Sequence, residues 1–294
     1  MKIKMSDKAF PYLMCLPAII LFTVVILASF IQGIWTSFFS WDGMGDMKWL
    51  GVKNYYFAIT DSIFWNSIKN TVFYAFFVTV MKNIIGLGLA LLLAKDIAGR
   101  SLFRVATYMP VTFSYVVVGL LWSWIYNPTF GLLNAFLNGI GANWAIRGWL
   151  SDPGIALYSV MMVDVWKWIG FHIVLYLAAI QGIPKDLYEA AEIDGANKRR
   201  CFWHITLPQL NSALVINVLL SLTGAFTSNY DVVKVMTNGG PFRSTEVALT
   251  YITSTAFKFS AFGKANAMTV ILFFFVFIFG FLQVRMMTKD ENYG

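Results

Sequence analysis

The chain has 294 residues, of which 58% are hydrophobic and 13% charged, and its mean hydropathy is +0.65. Soluble domains average about 25% charged residues, and so much apolar surface cannot be hidden in one aqueous core, which excludes a soluble globular protein and indicates a polytopic membrane protein. The net charge of +7 comes from basic residues that lie between apolar segments and not in one patch, which indicates membrane orientation and excludes a nucleic-acid-binding protein.

Six apolar segments follow one another along the chain, and each approaches or exceeds the roughly 20 residues that a helix needs to cross the hydrocarbon layer. A backbone in lipid has no water to bind, so segments of this length must be helical to satisfy their amides. The predicted spans are residues 14–36, 68–94, 103–126, 155–181, 208–229 and 264–287. The sequence therefore predicts an all-α membrane protein with six transmembrane helices.

The first apolar segment has some features of a signal peptide, because residues 1–8 are basic and residues 16–35 are apolar. The apolar run is long for a signal core, and it lacks a small-residue cleavage signal of the Ala-x-Ala kind. We therefore expect this segment to be retained as the first transmembrane helix.

Basic residues in the connections predict the orientation of the spans. Lysine and arginine are denser on one side than on the other, where they are spread over longer loops. The denser set is Lys2, Lys4, Lys8, Lys95, Arg100, Arg104, Lys185, Lys198, Arg199, Arg200, Arg285 and Lys289. Because loops rich in Lys and Arg stay in the cytoplasm, both termini and the connection between spans four and five are expected there.

A polar, charge-dense connection, residues 183–211, separates spans four and five. Residues 186–197 have helix-forming composition, and Gly195 can take the left-handed conformation that lets a turn follow a helix. A second short helix, residues 198–204, leads to Pro208, which suits the first turn of the next helix. The pattern predicts a helix–turn–helix elbow at the membrane surface. By composition alone, an ordinary charged cytoplasmic loop is an equal alternative.

The elbow contains a recognisable motif. Its residues are Glu189, Ala190, Ala191, Asp194, Gly195, Ala196, Phe202, Ile205, Leu207 and Pro208. This pattern resembles the EAA loop of ABC-importer permease subunits, although Asn211-Ser212 stand where many members carry another proline. A second stretch, from Asn229-Tyr230-Asp231 to Asn238-Gly239-Gly240-Pro241, resembles the segment after the fifth helix of carbohydrate permeases. With the spacing of the spans, the resemblance covers nearly the whole chain.

The resemblance implies a type I ABC-importer permease fold with a cytoplasmic EAA coupling elbow. Residues 1–65 would hold a cytoplasmic tail, the first transmembrane helix and an outer loop, residues 66–288 the five-helix permease core, and residues 289–294 a cytoplasmic tail. The implied function is that of a permease subunit in the bacterial plasma membrane. It would import a sugar, most simply an oligosaccharide, by ATP-driven alternating access, with glycerol phosphate as an alternative cargo.

Partners and roles are also implied by the resemblance. The expected partners are a second homologous permease subunit, two ATPase subunits that bind ATP and Mg²⁺, and an extracellular substrate-binding protein. In the elbow, Glu189 is expected to pair with a basic group of the ATPase, and the small residues Ala190 and Ala191 to allow docking in a groove. Gly195 would permit the turn, and Pro208 would pass movement on to the fifth span.

Known catalytic motifs do not occur in the sequence. It has no Gly-x-x-x-x-Gly-Lys-[Ser/Thr] loop, so ATP hydrolysis is expected on a separate chain, and neither His-Glu-x-x-His nor Gly-x-Ser-x-Gly occurs. The two histidines are His172 and His204, and the two cysteines are Cys15 and Cys201. We therefore expect no enzymatic activity, no metal site, no disulfide and no cofactor bound by this chain.

Ionisable residues inside the predicted spans mark candidate sites, because charged groups are unfavourable in lipid and face a bundle interior, a partner or water. Lys82 lies in span two, and Asp164 and Lys167 lie three residues apart on one face of span four. In a sugar permease, carboxylates would accept hydrogen bonds from hydroxyl groups and aromatic faces would stack on sugar rings. The predicted substrate-path residues are Asp164, Trp166, Lys167, Asn229 and Tyr230.

Other interpretations of these residues stay open at this point. Asp164 and Lys167 could form an intrahelical pair at a subunit interface, and the polar residues of span five could serve only to join helices. The chain could also be a stand-alone secondary transporter or channel. In that case Lys82, Asp164 and Lys167 would be coupling-ion or selectivity residues.

Overall fold

The computed structural model describes residues 10–95 and 98–288. The two predicted cytoplasmic ends, with Lys2, Lys4, Lys8 and Lys289, lie outside these residues. The described chain forms two compact units, one made of residues 10–65 and 252–275, the other of residues 66–251 and 276–288 without 96 and 97. The resemblance implies a division of the chain at residues 65 and 288. This division stays a prediction, because it describes the regions that family members share and not the compact units of the structure.

The first unit contains a long apolar helical segment, a β-hairpin and a short helix. In chain order its elements are α1 (Phe10–Leu21), a π-helix (Phe22–Leu27), α2 (Ala28–Thr36), β1 (Phe39–Ser40), β2 (Lys48–Trp49), α3 (Lys53–Thr60) and a second π-helix (Ser254–Lys258). The strands are antiparallel, with Phe39 opposite Trp49. Three further helices have residues in both units, namely α4 (Ser62–Leu93), α13 (Ala248–Thr253) and α14 (Phe262–Thr288).

Polar contacts hold the hairpin to the helices of the first unit. Nδ2 of Asn54 donates hydrogen bonds to the backbone oxygens of Ser37 and Phe39, at 2.9 and 2.8 Å. A Cβ atom at Gly263 would lie 1.9 Å from the oxygen of Phe39, so only glycine allows this approach. These contacts fix the connection that follows the first membrane-length helix.

The second unit holds the remaining helices, and its buried apolar residues form more than one hydrophobic cluster. In chain order they are α5 (Arg100–Tyr108), a 3₁₀ helix (Met109–Thr112), α6 (Tyr115–Ile125), α7 (Leu132–Gly139), a 3₁₀ helix (Asn143–Ala145), α8 (Ala156–Gln181), α9 (Lys185–Ile193), α10 (Lys198–Cys201), a π-helix (Phe202–Thr206), α11 (Leu207–Gln209) and α12 (Asn211–Met236). Helix α12 packs against α6 and α8. Buried residues of four helices meet there, including Tyr74, Val118, Met161 and Val232.

The membrane-length helices confirm the predicted all-α class. Within the described residues, five helices are long and apolar enough to cross a membrane, and a bent pair makes six if it counts as one span. The bent pair, Arg100–Thr112 and Tyr115–Ile125, replaces the single predicted span 103–126, and the chain bends by 107° between its two parts. Pro110 lies in the 3₁₀ turn, and Ser114 caps a new helix by accepting a hydrogen bond from the amide of Val117. A count of apolar residues alone does not reveal this break.

The fifth span is longer than predicted. It was expected to end at residue 229, whereas α12 continues to Met236. Asn229, Tyr230 and Asp231 are therefore helical and do not begin a loop. Polar residues resemble a span end in a hydropathy pattern, but this part of α12 is held by packing of Val232 and Val233 in the core.

Substituting Gly170 is expected to disturb the packing of α8 on α5. A Cβ atom at Gly170 would lie 2.1 Å from the backbone oxygen of Thr107, which cannot move away as a flexible side chain could. We expect Gly170→Ala to lower the stability of the detergent-solubilised protein by about 1–3 kcal/mol, the usual effect of overpacking. Gly88→Ala is the matched control, because no described atom lies within 4 Å of its added Cβ. Equal thermal stability of both variants would contradict this close approach.

Candidate functional site

The first arm of the elbow is helix α9, and it ends at Gly195. This residue has a φ of +77°, and its amide donates to the oxygen of Glu192 at 3.0 Å. The amide of Ala196 donates to the oxygen of Ala191 at 2.8 Å. These two bonds form a Schellman motif, in which the residue at the position of Gly195 must adopt the left-handed conformation. The turn predicted at Gly195 is thus present.

The second arm begins with a side-chain cap. Oδ1 of Asn197 accepts a hydrogen bond from the amide of Arg200 at 2.9 Å, which starts α10. The chain continues through the π-helix and α11, where Pro208 occupies the first turn, and enters α12 at Asn211. The hydroxyl groups of Tyr188 and Thr206 lie 2.9 Å apart and join the two arms. The elbow is therefore a folded unit connected directly to a membrane-length helix.

The predicted motif residues are distributed over the surface of this elbow. Glu189, Ala190, Asp194, Gly195 and Pro208 are exposed. The half-buried ones are Ala191, Ala196, Ile205 and Leu207. Large apolar side chains are exposed beside them: Ile193 is 86% exposed and Trp203 55%. Exposed apolar groups of this size on a folded elbow are typical of a protein-binding surface.

The second motif forms a tight loop after α12. Asn238 and Gly239 both have positive φ, and a Cβ at Gly239 would lie 2.8 Å from the carboxylate of Glu246. Nδ2 of Asn70, on α4, donates to the backbone oxygens of Ser244 and Glu246 at 3.1 and 2.9 Å. The glycine-rich sequence is therefore required by the backbone path and by the close approach of Glu246.

A buried ion pair lies between α4 and α8. Nζ of Lys82 is 3.1 Å from Oδ2 of Asp164, and both side chains are almost completely buried. The hydroxyl of Tyr115, on α6, donates to Oδ1 of the same carboxylate at 2.6 Å. Both oxygens of Asp164 are thus bound within the protein, which is what a charge in a low-dielectric interior requires.

Lys167 is held separately from this pair. Its Nζ donates to the backbone oxygen of Val111 at 3.1 Å and lies over the rings of Tyr115 and Trp168, 4.8 and 4.6 Å from their centres.

The interpretation that paired Asp164 with Lys167 is corrected here, because the carboxylate pairs with Lys82 on another helix. Residue spacing placed both groups on one face of α8, but the choice of partner depends on which helix packs against that face.

A cavity of about 370 Å³ adjoins the ion pair, and we call it the central cavity. Helices α4, α8 and α12 line it, so it lies wholly within the second unit. Its lining includes two aromatic rings, a cation and three polar groups: Trp168, Phe171, Lys82, His172, Ser221 and Ser228. Aromatic faces and hydroxyl groups around a concave space are suited to binding a polar ring molecule.

The other predicted path residues are not part of the described lining. Trp166 is half-buried and packs edge-on against Trp122, with ring centres 5.3 Å apart. Asn229 is fully buried next to the lining residue Ser228, and neither atom of its side-chain amide has a hydrogen-bond partner among the described residues. Tyr230 is half-buried.

Two predicted residues on α8 contact residues that line the cavity. Asp164 forms the ion pair with the lining residue Lys82, and the ammonium group of Lys167 lies over the ring of the lining residue Trp168.

Sequence reasoning missed Trp168, Phe171 and Ser228 as lining residues. Helical spacing offered a usable signal, because residues four and seven positions after Asp164 lie on its face of the helix, and these are Trp168 and Phe171. Trp166, two positions away, points to another face. No comparable signal selects Ser228, because polar residues occur all along α12.

No group of three or more His, Cys, Asp or Glu side chains that could hold a metal ion occurs in residues 10–95 and 98–288. Cys15 is exposed and Cys201 is buried, and both are free. The expectation that this chain holds no metal stays a prediction.

These features together define a class of protein. Membrane-length helices, a folded elbow joined to one of them, and a cavity beside a buried ion pair within the helical core are the parts of a multi-pass membrane transport protein. The chain belongs to the family of binding-protein-dependent transport system inner membrane components, whose model matches residues 82–288. Such a protein is a transport component, and the alternative of a stand-alone secondary transporter is not supported by this membership.

Relatives of similar length extend the likeness to almost the whole chain. The Probable ABC transporter permease protein YurN of Bacillus subtilis is 35% identical over 283 residues, which covers 95% of this chain and 96% of that protein. The Probable starch degradation products transport system permease protein AmyD of Thermoanaerobacterium thermosulfurigenes is 31% identical over 280 residues, with 95% and 94% covered.

A solved structure has the same fold. A chain in the crystal structure of a bacterial ABC transporter involved in the import of the acidic polysaccharide alginate superposes with a TM-score of 0.83. It is 22% identical in sequence, and 95% of each chain is covered. The type I ABC-importer permease fold implied by the elbow motif is thereby confirmed.

Proposed function

We propose that this chain is the transmembrane permease subunit of an ABC importer whose cargo is an oligosaccharide or a related sugar. The observation that carries the choice of cargo is the central cavity, where two aromatic rings and several hydroxyl groups surround a space between α4, α8 and α12. The similarity to a permease named for starch degradation products supports the same choice.

Sugar binding follows from the chemistry of the lining. The rings of Trp168 and Phe171 offer apolar faces to the C–H side of a sugar ring, and Ser221 and Ser228 offer hydroxyl groups to its edge. The charge of Lys82 is matched by Asp164, so this pair positions polar groups without leaving a net charge. Asn229 has two buried amide atoms that no described residue binds, and a shift of α12 would turn them towards the cargo.

Coupling to ATP is assigned to the elbow. Ile193 and Trp203 are exposed on the same elbow as the acidic residue Glu189, so a groove with apolar walls and a basic group would fit this surface. Closure of the ATPase subunits would move α9, and the Tyr188–Thr206 contact would carry the movement across the elbow into α12. The transporter would thus alternate between outward-open and inward-open states.

The assembly follows from this role. The chain would pair with a second homologous permease and dock on two ATPase subunits, which would bind ATP and Mg²⁺, while an extracellular binding protein delivers the cargo. The chain would span a bacterial plasma membrane. With the elbow facing the ATPase, both termini would lie on the cytoplasmic side. The chain itself would have no enzymatic activity and no bound cofactor.

Co-purification tests the proposed assembly. A tagged chain is purified from its native membranes in mild detergent, and the accompanying proteins are identified by mass spectrometry. We expect a second six-span permease and a P-loop ATPase, and a bound sugar is sought on any attached binding protein. Recovery of the chain alone or as a homo-oligomer would overturn the proposed importer.

Ser228→Ala tests the sugar path. Ser228 lines the central cavity, and its hydroxyl lies near that of Tyr115 without forming a well-aligned hydrogen bond, so its removal should change stability little. Loss of one hydrogen bond to the cargo, about 0.5–1.5 kcal/mol, should raise the cargo concentration for half-maximal uptake by the reconstituted importer about 2- to 13-fold. Ser159→Ala, at a buried serine of α8 that bonds its own helix, is the control. Equal uptake by both variants would contradict the path.

A further inference from the structure

A second cavity lies beside the central one in the groove between α8 and α12. Its volume is about 380 Å³, and we call it the elbow-side cavity because Gly182, Ile183 and Gln209, which adjoin the elbow, help to line it. The groove continues along the same two helices: the central cavity is lined by residues from Trp168 on α8, and the elbow-side cavity by residues from Leu175 onward.

Two hydrogen-bonded side chains stand at the junction of these cavities. His172 lines the central cavity and Asn217 lines the elbow-side cavity. Nδ1 of His172 lies 2.8 Å from Oδ1 of Asn217, and both residues are almost completely buried. Because an amide oxygen only accepts, Nδ1 carries the proton and Nε2 is the acceptor nitrogen. This hydrogen-bonded pair of side chains therefore joins a lining residue of one cavity to a lining residue of the other.

Neighbouring groups on α4 and α12 hold this pair in place. Oγ of Ser221, on α12, is 3.3 Å from Nε2 of His172, and Nδ2 of Asn83, on α4, donates to that hydroxyl at 3.1 Å. Nδ2 of Asn217 donates to the backbone oxygen of Ala213 at 2.9 Å. A Cβ at Gly86 of α4 would lie 3.1 Å from Cβ of His172, so the backbone of α4 packs closely against the histidine at this position.

The position of the pair connects it to the elbow. Asn217 lies on α12 less than two turns from Asn211, where the chain enters the helix from α11. His172 lies on α8, on the other wall of the groove. Because α12 begins at the elbow, a displacement of the elbow would shift Asn217 relative to His172. A single side-chain hydrogen bond is weak enough to break and re-form during such a movement.

We infer that His172 and Asn217 form a gate between the two cavities, and that the elbow-side cavity is the exit segment of the sugar path. This inference rests on the proposed function. The polar groups Gln209 and Ser212 in the elbow-side cavity supply hydrogen bonds for a sugar that leaves the central cavity, while Ala179 and Ile216 supply apolar walls. The gate opens when α12 follows the elbow, and it is closed in the structure described here.

Accessibility of the central cavity from the elbow side tests the gate without knowledge of the sugar. Cys15 and Cys201 are replaced by Ser, and Ser228→Cys is introduced as the probe in the assembled complex. A membrane-impermeant methanethiosulfonate reagent is added to inside-out vesicles. We expect His172→Ala with Asn217→Ala to raise the labelling rate about 2- to 13-fold, the factor that corresponds to the loss of one side-chain hydrogen bond of about 0.5–1.5 kcal/mol.

Three controls make the outcome specific. His172→Gln keeps an amide that can bond Asn217 and should restore slow labelling. Ser159→Ala removes a side-chain hydrogen bond to the backbone oxygen of Ile155 on α8, outside both cavities and outside the network around the pair, and should leave the rate unchanged. Ser212→Cys in the elbow-side cavity should label rapidly in every background.

The outcomes separate the gate from the proposed sugar path. Slow labelling of Ser228→Cys in the His172→Ala, Asn217→Ala background, together with rapid labelling of Ser212→Cys, would overturn the gate. Equally fast labelling in the Ser159→Ala variant would overturn it too, because any loosening of α8 would then suffice. The sugar path itself fails independently, if Ser228→Ala leaves uptake unchanged.

Discussion

Asp164→Ala is expected to destabilise the helical core by about 3–5 kcal/mol, the usual effect of removing one partner of a buried ion pair. The substitution leaves the ammonium group of Lys82 buried without its carboxylate and takes away the acceptor of the Tyr115 hydroxyl. The measurement is the free energy of unfolding in mixed detergent micelles, or the midpoint of thermal unfolding of the purified complex.

Two further variants isolate the buried charge as the cause. Lys82→Met combined with Asp164→Leu removes both charges, and such apolar replacements often recover the stability that the single change loses. Lys264→Ala breaks the 2.8 Å pair with Asp61, which is partly open to solvent, and should have the smaller effect of about 0–1 kcal/mol. If Asp164→Ala lowered the free energy of unfolding no more than Lys264→Ala does, the ion pair would not stabilise the core, and another group would have to stabilise the ammonium group of Lys82.

Gly195→Pro is expected to uncouple ATP hydrolysis from uptake. Proline fixes φ near −65°, whereas Gly195 has +77°, and proline also lacks the amide that bonds Glu192. The turn between the two arms of the elbow would be lost, because its left-handed residue and one of its two capping hydrogen bonds would both be absent. Uptake and ATP hydrolysis are measured in parallel on complexes in proteoliposomes. We expect far fewer sugar molecules to be transported per ATP hydrolysed than by the unchanged protein.

Gly195→Asn is the matched control for the elbow. Asparagine tolerates the left-handed conformation, and no described atom lies within 4 Å of a Cβ added at this position. The Asn variant should therefore keep coupled uptake, while the Pro variant inserts in the membrane but does not transport. Normal uptake by the Pro variant would show that the elbow does not transmit movement.

Much of the fold follows from local patterns. The apolar segments are long enough to require helices, and the elbow carries its own turn signals at Gly195, Asn197 and Pro208. Each of these acts over a few residues: a left-handed glycine ends a helix, an Asn side chain caps the next, and proline fits a first turn. Such features can be predicted because their causes lie in the neighbouring sequence.

Span boundaries were harder to predict because hydropathy is an average. Span 103–126 has enough apolar residues for one helix, and the break at Phe113 arises from Pro110 and the Ser114 cap. Conversely, the polar residues around Asn229 suggested an end to the fifth span. The helix continues because its buried face still packs in the core, and burial of a polar residue is not visible in composition.

The sequence by itself determined the class of this protein, the number of its spans and the form of its elbow, because chain-local chemistry controls all three. Only the tertiary structure decided that Asp164 pairs with Lys82, that Trp168 and not Trp166 faces the cavity, and that His172 meets Asn217. These choices depend on how separate helices are rotated and placed against each other. That arrangement is set by packing over the whole core, so residues distant in sequence become partners.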